Sequence, residues 1–171
     1  MTLGGGRVVP ADPPGIVAPL LEAYLTAHLE DVRRVLGVTL PASEVLAEDL
    51  AQFSMFAPPT GALLLALVEE QPVGCVGVRS AHDGQRPYAE IKRLYVSPAG
   101  RGRGLGRALL RAALAAAKDL GHDLVRLDTF ETMIEARALY AAEGLRTIGP
   151  YHGGGGPEAF RSRLTFMERD I

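Results

Sequence analysis

The chain of 171 residues has no tryptophan, a single cysteine and only 6% aromatic residues. One cysteine, Cys75, excludes an internal disulfide framework and a cysteine-based zinc site. It lies in an apolar run, where it reads as a small buried hydrophobe in a reducing compartment. With so few aromatics, aliphatic residues and alanine must fill the core. No apolar run approaches the roughly 18 residues of a membrane span. Met1-Thr2-Leu3-Gly4-Gly5-Gly6-Arg7 lacks the basic-then-apolar pattern of a secretory leader. An excess of one charge is also missing: 18 basic residues stand against 20 acidic ones, a net charge of −2. That balance argues against a general nucleic-acid binder. The histidines, His28, His82, His122 and His152, are scattered without metal-ligand spacing. No Gly-x-Ser-x-Gly nucleophile elbow is present. These absences leave a soluble cytoplasmic protein with neither a metal site nor a hydrolase triad.

What is present is ordinary for a globular domain: 47% hydrophobic and 22% charged residues, with 20 glycines and 12 prolines marking loops. The length suits one domain over residues 1–171, with no internal repeat. Arg7-Val8-Val9 reads as a short strand. Asp12-Pro13-Pro14 reads as a helix start with Asp12 as its cap. Leu20, Tyr24, Leu25, Leu29, Val32 and Leu36 fall at helical spacing within Ile16–Leu36. Pro41-Ala42-Ser43 opens a second helical stretch carrying Val45, Leu46, Leu50 and Phe53.

The period then shortens. Ala62–Val68, Val73–Val78 and Glu90–Val96 read as three consecutive antiparallel strands, with turns at Gln71-Pro72 and Ala81–Pro87. A long helix follows Ser97-Pro98-Ala99-Gly100 and ends at Gly121, a glycine stop. Leu124–Thr129 is the next strand, Met133–Glu143 the next helix, with Gly144 as its stop. Arg146–Tyr151 and Arg161–Glu168 are final strands around the Gly153–Gly156 loop. The strand–helix–strand unit implies one parallel pair inside an otherwise antiparallel sheet. The predicted class is therefore a mixed α/β sheet flanked by helices.

The segment richest in chemistry is Arg101-Gly102-Arg103-Gly104-Leu105-Gly106-Arg107, placed between a strand and a helix. Glycines let backbone N–H groups converge without Cβ obstruction. The helix start adds unpaired N–H groups and a positive dipole end, which together cradle an anion such as phosphate. From Ile91 to Lys118 lie seven basic residues and no acid. Arg103, Arg107, Arg111 and Lys118 share one helical stripe, while Leu105, Leu109, Ala112, Ala116 and Leu120 form the stripe expected on the sheet. A Walker phosphate loop is excluded, because G-x-x-x-x-G-K-[ST] is absent. The dinucleotide fingerprint is excluded too, since Arg107 stands where its third glycine would be.

Arg101-x-x-Gly104-x-Gly106 resembles the (Q/R)-x-x-G-x-(G/A) motif of the GNAT superfamily of N-acetyltransferases. Glu90–Val96 resembles the strand before that motif, and Ala136-x-x-Leu139-Tyr140-x-x-x-Gly144 the later helix and its exit. The specific motifs span about residues 89–145, and the element order nearly the whole chain. The resemblance implies a GNAT-like sheet with a splayed parallel strand pair, and acetyl-coenzyme A as co-substrate without a metal. Arg101, Gly102, Arg103, Gly104, Leu105, Gly106 and Arg107 would hold its pyrophosphate. Leu94, Tyr95 and Val96 would accompany the pantetheine arm, with the Val96 N–H as an oxyanion donor. Glu90 would be the base, acting through water, and Tyr140 the acid for the departing thiolate. Met133 replaces a frequent asparagine, so no cofactor contact is carried to it; Leu145 replaces the phenylalanine of a usual Gly-Phe pair as a core residue.

The implied reaction is acetyl transfer to a primary amine of a small molecule or peptide by direct attack in a ternary complex. A non-catalytic acyl-coenzyme A sensor or partner module is the alternative, and a modifier of a macromolecular acceptor a third reading. Neither a nucleic acid nor a membrane is implied, and a homodimer is possible by analogy alone. Asp128 and Glu131 are further candidates to bind a cationic acceptor or to serve as base, and His152 to reach an acceptor. Residues 1–60 carry seven acids and three bases, a net −4 that fits a cationic amine or simply solvated helix faces.

Overall fold

A computed structural model describes residues 5–12, 14–37, 39, 41–154 and 161–171, apart from the side chains of residues 14, 36, 42, 48, 49, 52 and 53. Seven strands form one sheet: β1 (Gly6–Pro10), β2 (Gly61–Val68), β3 (Gln71–His82), β4 (Pro87–Val96), β5 (Leu124–Phe130), β6 (Arg146–Ile148) and β7 (Leu164–Asp170). The helices are α1 (Ala18–Leu36), α2 (Ala42–Ala51), α3 (Leu105–Asp119) and α4 (Ile134–Ala142). The strand order is β1-β2-β3-β4-β5-β7-β6. Every neighbouring pair is antiparallel except β4 and β5, which are parallel. The mixed sheet read from the sequence is the sheet observed.

Alternation along each strand divides the core between two faces. Leu63, Leu65 and Cys75 meet Val17, Leu20 and Leu21 of the α1 region, with Phe56 beside them. Ala66, Val76, Val78, Ile91, Val125 and Leu127 meet α3 and α4 on the other face. The buried stripe of α3 is Leu105, Leu109, Leu110, Ala113, Leu114 and Ala117. That differs from the expected stripe: Ala112, Ala116 and Leu120 sit half-buried on its shoulder. The helix is rotated so that Leu110, Ala113, Leu114 and Ala117 face the sheet in place of Ala112, Ala116 and Leu120.

Several boundaries also move. Asp12 does not cap α1; a 3-10 turn over Pro14–Val17 intervenes, and Val17 occupies the cap position without a side-chain hydrogen bond. The α1 C-terminus ends on left-handed Gly37, whose N–H donates to the Arg33 carbonyl at 2.9 Å. The β2–β3 turn is Glu69-Glu70, both at positive φ, and Gln71-Pro72 already belongs to β3. Pro72 is tolerated there because it lies at a register shift, where a missing N–H disturbs the ladder least. β3 and β4 run further than expected, into the segment read as a loop, and only residues 83–86 connect them. Asp83 tightens that turn by accepting from the Gln85 and Arg86 N–H groups, both at 2.8 Å. β6 stops at Ile148, short of Tyr151, and β7 starts at Leu164 rather than Arg161. The Phe53 side chain and Gly155-Gly156 of the oligoglycine loop lie outside the described residues.

Leu109 is fully buried between α3 and the sheet. Leu109→Ala is expected to cost about 2–5 kcal/mol. For a chain of this size that lowers Tm by at least about 4 °C. Thermal unfolding followed by circular dichroism checks this.

Candidate active site

The parallel ladder between β4 and β5 contains only two pairs, Ala89↔Val125 and Glu90↔Arg126, although β4 continues to Val96 and β5 to Phe130. Beyond Glu90 the two strands part. On its other side β4 stays paired with β3, but with a bulge: Gly77 faces Lys92 while Cys75 faces Tyr95. Arg93, within the bulge, takes a left-handed φ of 57°. Ser97 N–H donates to the Val73 carbonyl at 2.8 Å, flanking the Gly74↔Val96 pair. In an antiparallel ladder such a pair turns its own N–H and C=O away from the partner strand. The Val96 N–H therefore faces the gap beside β5, and alternation gives Leu94 the same aspect. Tyr95 pairs with Cys75 and turns its ring to the α1 side, 5.9 Å from Tyr24.

The chain leaves β4 through a 3-10 turn, Pro98–Gly100, and enters the glycine segment. Gly102 and Gly104 both take φ of 74°, with open space where a Cβ would stand. Gly104 is the N-cap of α3, and no side chain caps that helix. Ala108 N–H makes the first intrahelical bond, to the Gly104 carbonyl at 3.1 Å. The N–H groups of Leu105, Gly106 and Arg107 therefore have no helical acceptor. This is an open cradle of backbone donors at a positive dipole end, and its donor chemistry suits a pyrophosphate. Arg101 Nε donates to the Val96 carbonyl at 3.4 Å and ties the turn to the end of β4.

The basic stripe on α3 is exposed as expected, yet part of it has an internal partner. Arg107 Nε lies 3.0 Å from Glu143, and Arg111 Nε lies 2.8 Å from the same carboxylate. Arg111 holds the Glu143 carboxyl below its usual range against the opposing effect of burial, with help from Arg107 and Arg169. Two of the stripe cations thus serve to join α3 to the end of α4.

Glu90 is fully buried. Its Oε2 accepts from Arg79 Nε at 2.6 Å, and the Arg79 terminal nitrogen stands at 2.5 Å. Lys92 Nζ is 3.1 Å from Glu90 Oε1 as an ion pair, while its directed hydrogen bond goes to Asp128 at 2.5 Å. Burial opposes the Lys92 charge, but Glu90 and Asp128 outweigh it and hold the ammonium above its ordinary pKa. Lys92 and Asp128 bridge β4 and β5 by side chains where the backbones no longer pair. Tyr140, on α4, is buried beneath the sheet. Burial first, then Tyr24 and Asp128, push its phenol well above the ordinary value, so it stays protonated at any working pH. Cys75 is buried, donates to the Arg93 carbonyl at 3.6 Å, and its thiol is pushed up to about 12 by burial, opposed by Arg93. It has no thiolate to offer as a nucleophile.

The structure brings Glu90, Leu94, Val96 and the Arg101–Arg107 turn to one parting of strands, with Tyr140 below it and Asp128 across it. It does not bring Glu131 there: that carboxylate pairs with Arg163 at 2.8 Å. His152 is exposed on the loop after β6. Met133 Sδ accepts from Thr129 at 3.3 Å, and Leu145 is buried in the core. Sequence reasoning missed Arg79 and Lys92, the two cations that enclose Glu90; Lys92 lay two residues away on the same strand face, while Arg79 carried no local signal. It also missed His28, whose ring stacks on Tyr24 and stands edge-on to Phe130 at 4.8 Å. A separate concavity of about 330 Å³ lies between α4 and the β6–β7 edge, lined by Ile134, Arg137, Ala141, Thr147 and Met167. None of its lining residues belongs to the parting of β4 and β5. Among the described residues no group of three or more His, Cys, Asp or Glu is placed to hold a metal, and no helix is long and apolar enough to cross a membrane.

A mixed sheet that opens beside a glycine-built helix start is the architecture this chain shares with solved acetyltransferases. Residues 26–144 match the Acetyltransferase (GNAT) family, and the chain belongs to that acyl-coenzyme A-dependent family. It is 32% identical over 129 residues to an uncharacterized N-acetyltransferase of Schizosaccharomyces pombe, covering 75% of this chain and 78% of that one. An acetyltransferase from Thermus thermophilus superposes with a TM-score of 0.66 at 26% identity, over 100% of both chains. An N-acetyltransferase from Thermoplasma acidophilum, solved in complex with coenzyme A, shares the fold with a TM-score of 0.64 at 16% identity, over 97% of this chain and 99% of that one.

Lys92 predicts a pH dependence with a definite sign. Its pKa is higher folded than unfolded, so its contribution to stability is whole below the unfolded value of 10.5. It is lost as the pH rises through the folded value. Denaturant unfolding should show the wild type losing stability more steeply than Lys92→Met above about pH 10.5, and in parallel with it below.

Proposed function

We propose that this protein is an N-acetyltransferase that carries an acetyl group from acetyl-coenzyme A to a primary amine of a small molecule or peptide. The observation that carries this reading is the uncapped start of α3, with Gly102 and Gly104 left-handed and open, at the exit of the strand that parts from β5. The backbone of Arg101, Gly102, Arg103, Gly104, Leu105, Gly106 and Arg107 binds the pyrophosphate. Arg107 adds charge despite its pairing with Glu143. Leu94 and Val96 offer backbone groups to the pantetheine arm, and Tyr95 walls the acceptor side. Acetyl-coenzyme A supplies the thioester, so no covalent enzyme intermediate is needed.

The amine must shed a proton to attack. Glu90 is the acceptor of that proton, through water, because it is fully buried. The Val96 N–H, facing the gap, meets the developing oxyanion. Tyr140 donates its proton to the departing thiolate. Positioning both substrates in one ternary complex supplies much of the rate. The buried, unpaired Cys75 suits a reducing compartment such as the cytoplasm.

One observation favours the alternative of a non-catalytic acyl-coenzyme A module: Arg79 and Lys92 both neutralise Glu90. Binding and turnover separate the two. Acetyl-coenzyme A at about 100 times its Kd should add roughly 2.7 kcal/mol. That raises Tm by about 5–11 °C, with ATP and NAD giving no shift. No shift with folded protein overturns both readings. If amines release thiol from acetyl-coenzyme A, Tyr140→Phe is expected to lower kcat by about 10²-fold while keeping the thermal shift. A shift without turnover of any amine leaves the binding module.

A further inference from the structure

We propose that Tyr151 and Glu90 together hold an internal water, and that Tyr151 is a positioning residue for proton withdrawal at Glu90. The proposal rests on the reading of Glu90 as the proton acceptor. Among the described residues, Tyr151 Oη is buried with no hydrogen-bond partner, and the buried Glu90 Oε1 has beside it only the Lys92 ion pair. Tyr151 is 8% exposed and Glu90 is 0% exposed. The Lys92 ammonium faces Oε1 from 3.1 Å, which leaves a second lone pair of that oxygen for a water. A buried oxygen left without a partner costs free energy comparable to a lost hydrogen bond.

The packing puts the two atoms in one neighbourhood. Tyr151 stands edge-on to Tyr88 at 5.4 Å and to Phe166 at 5.5 Å. Tyr88 precedes Glu90 by two residues, on the same face of β4. The Arg126 guanidinium lies 4.8 Å over the Tyr151 ring, and Arg126 is the register partner of Glu90. The ring thus lies across the rung that carries Glu90. After burial itself, the charges of Glu90 and then Asp128 do most to raise the Tyr151 phenol, although no direct hydrogen bond joins them. The phenol stays a neutral donor.

The backbone holds this side chain in place. Arg161 donates to the Tyr151 carbonyl at 3.2 Å and to the Gly154 carbonyl at 2.9 Å. A Cβ at Gly154 would stand 2.4 Å from the Tyr151 ring, so only glycine lets the chain lie against it. A buried water needs two to four polar partners. Tyr151 Oη as donor and Glu90 Oε1 as acceptor supply two. The charged groups around them are Arg79 on β3, Lys92 on β4, and Arg126 and Asp128 on β5.

The proton step balances with these groups alone. The acceptor N–H bond breaks toward the water oxygen, one water O–H proton passes to Glu90 Oε1, and the water is regenerated. Tyr151 occupies one lone pair of that water by donating to it, which turns a water proton toward Glu90 and leaves the other lone pair for the amine proton.

The test is Tyr151→Phe, which removes one oxygen and keeps the packing. Crystals of the wild type should show a water within hydrogen-bond distance of both Tyr151 Oη and Glu90 Oε1. Tyr151→Phe should lower Tm by about 2–4 °C, the scale of one lost hydrogen bond. It should lower kcat roughly 10- to 100-fold, the scale of a misplaced reacting group. KM for acetyl-coenzyme A should stay within about twofold. Added to Glu90→Gln, it should cost little more in kcat, because the two act on one proton. A Tm at or above the wild type, no such water, or an unchanged kcat overturns the proposal. If no amine is acetylated, the acetyltransferase reading fails separately, while the water and the Tm still decide whether Tyr151 and Glu90 share this site.

Discussion

The last rung of the parallel ladder, Glu90↔Arg126, organises this molecule. Each of its residues is the centre of a buried ionic cluster. Glu90 gathers Arg79 and Lys92, and Lys92 reaches across to Asp128. Arg126 gathers Asp83 and Glu168, at 2.5 and 3.0 Å, and lies over the rings of Tyr88 and Tyr151. One cluster stands toward the opening and the other toward the closed end. Past this rung β4 and β5 share no backbone bond, so side-chain charge takes over from the ladder in relating the two strands. The gap exposes inward-facing backbone of β4 that a continuous sheet would have consumed.

Buried charges on this scale are costly unless paired, and the pairing here is nearly closed. Arg79 and Lys92 balance Glu90 and Asp128. Glu90 is fully buried between two cations, whereas Asp128 and Tyr24 are only partly buried. The same pairing appears on α3, where Glu143 engages Arg107 and Arg111 while the N–H groups at the helix start have no helical acceptor. A cradle of N–H groups is rigid and needs no side-chain ordering when an anion arrives.

Much of the fold was legible because the signals are local. The dense apolar run Ala62–Val68 and the stops at Gly121 and Gly144 act within a few residues of themselves. The Arg101–Arg107 turn was legible for the same reason: glycine spacing and helix start together define it. Errors arose where tertiary contacts outweighed local preference. Glu69-Glu70 adopts a tight turn although neither residue favours positive φ, because the flanking strands pair on both sides. The register of α3 on the sheet was set by leucine packing over a smaller residue stripe of equal periodicity.

By itself the sequence determined the order of the elements, the one parallel crossover and the anion cradle at the start of α3, since each depends on chain neighbours. Only the tertiary structure decided what surrounds Glu90 and Asp128. Arg79 reaches Glu90 across β3 and β4, Lys92 reaches Asp128 across the gap, and Tyr151 packs on Tyr88 from the loop after β6. Such contacts join residues 11 to more than 60 positions apart. They are set by strand register and sheet order, which no short-range pattern encodes.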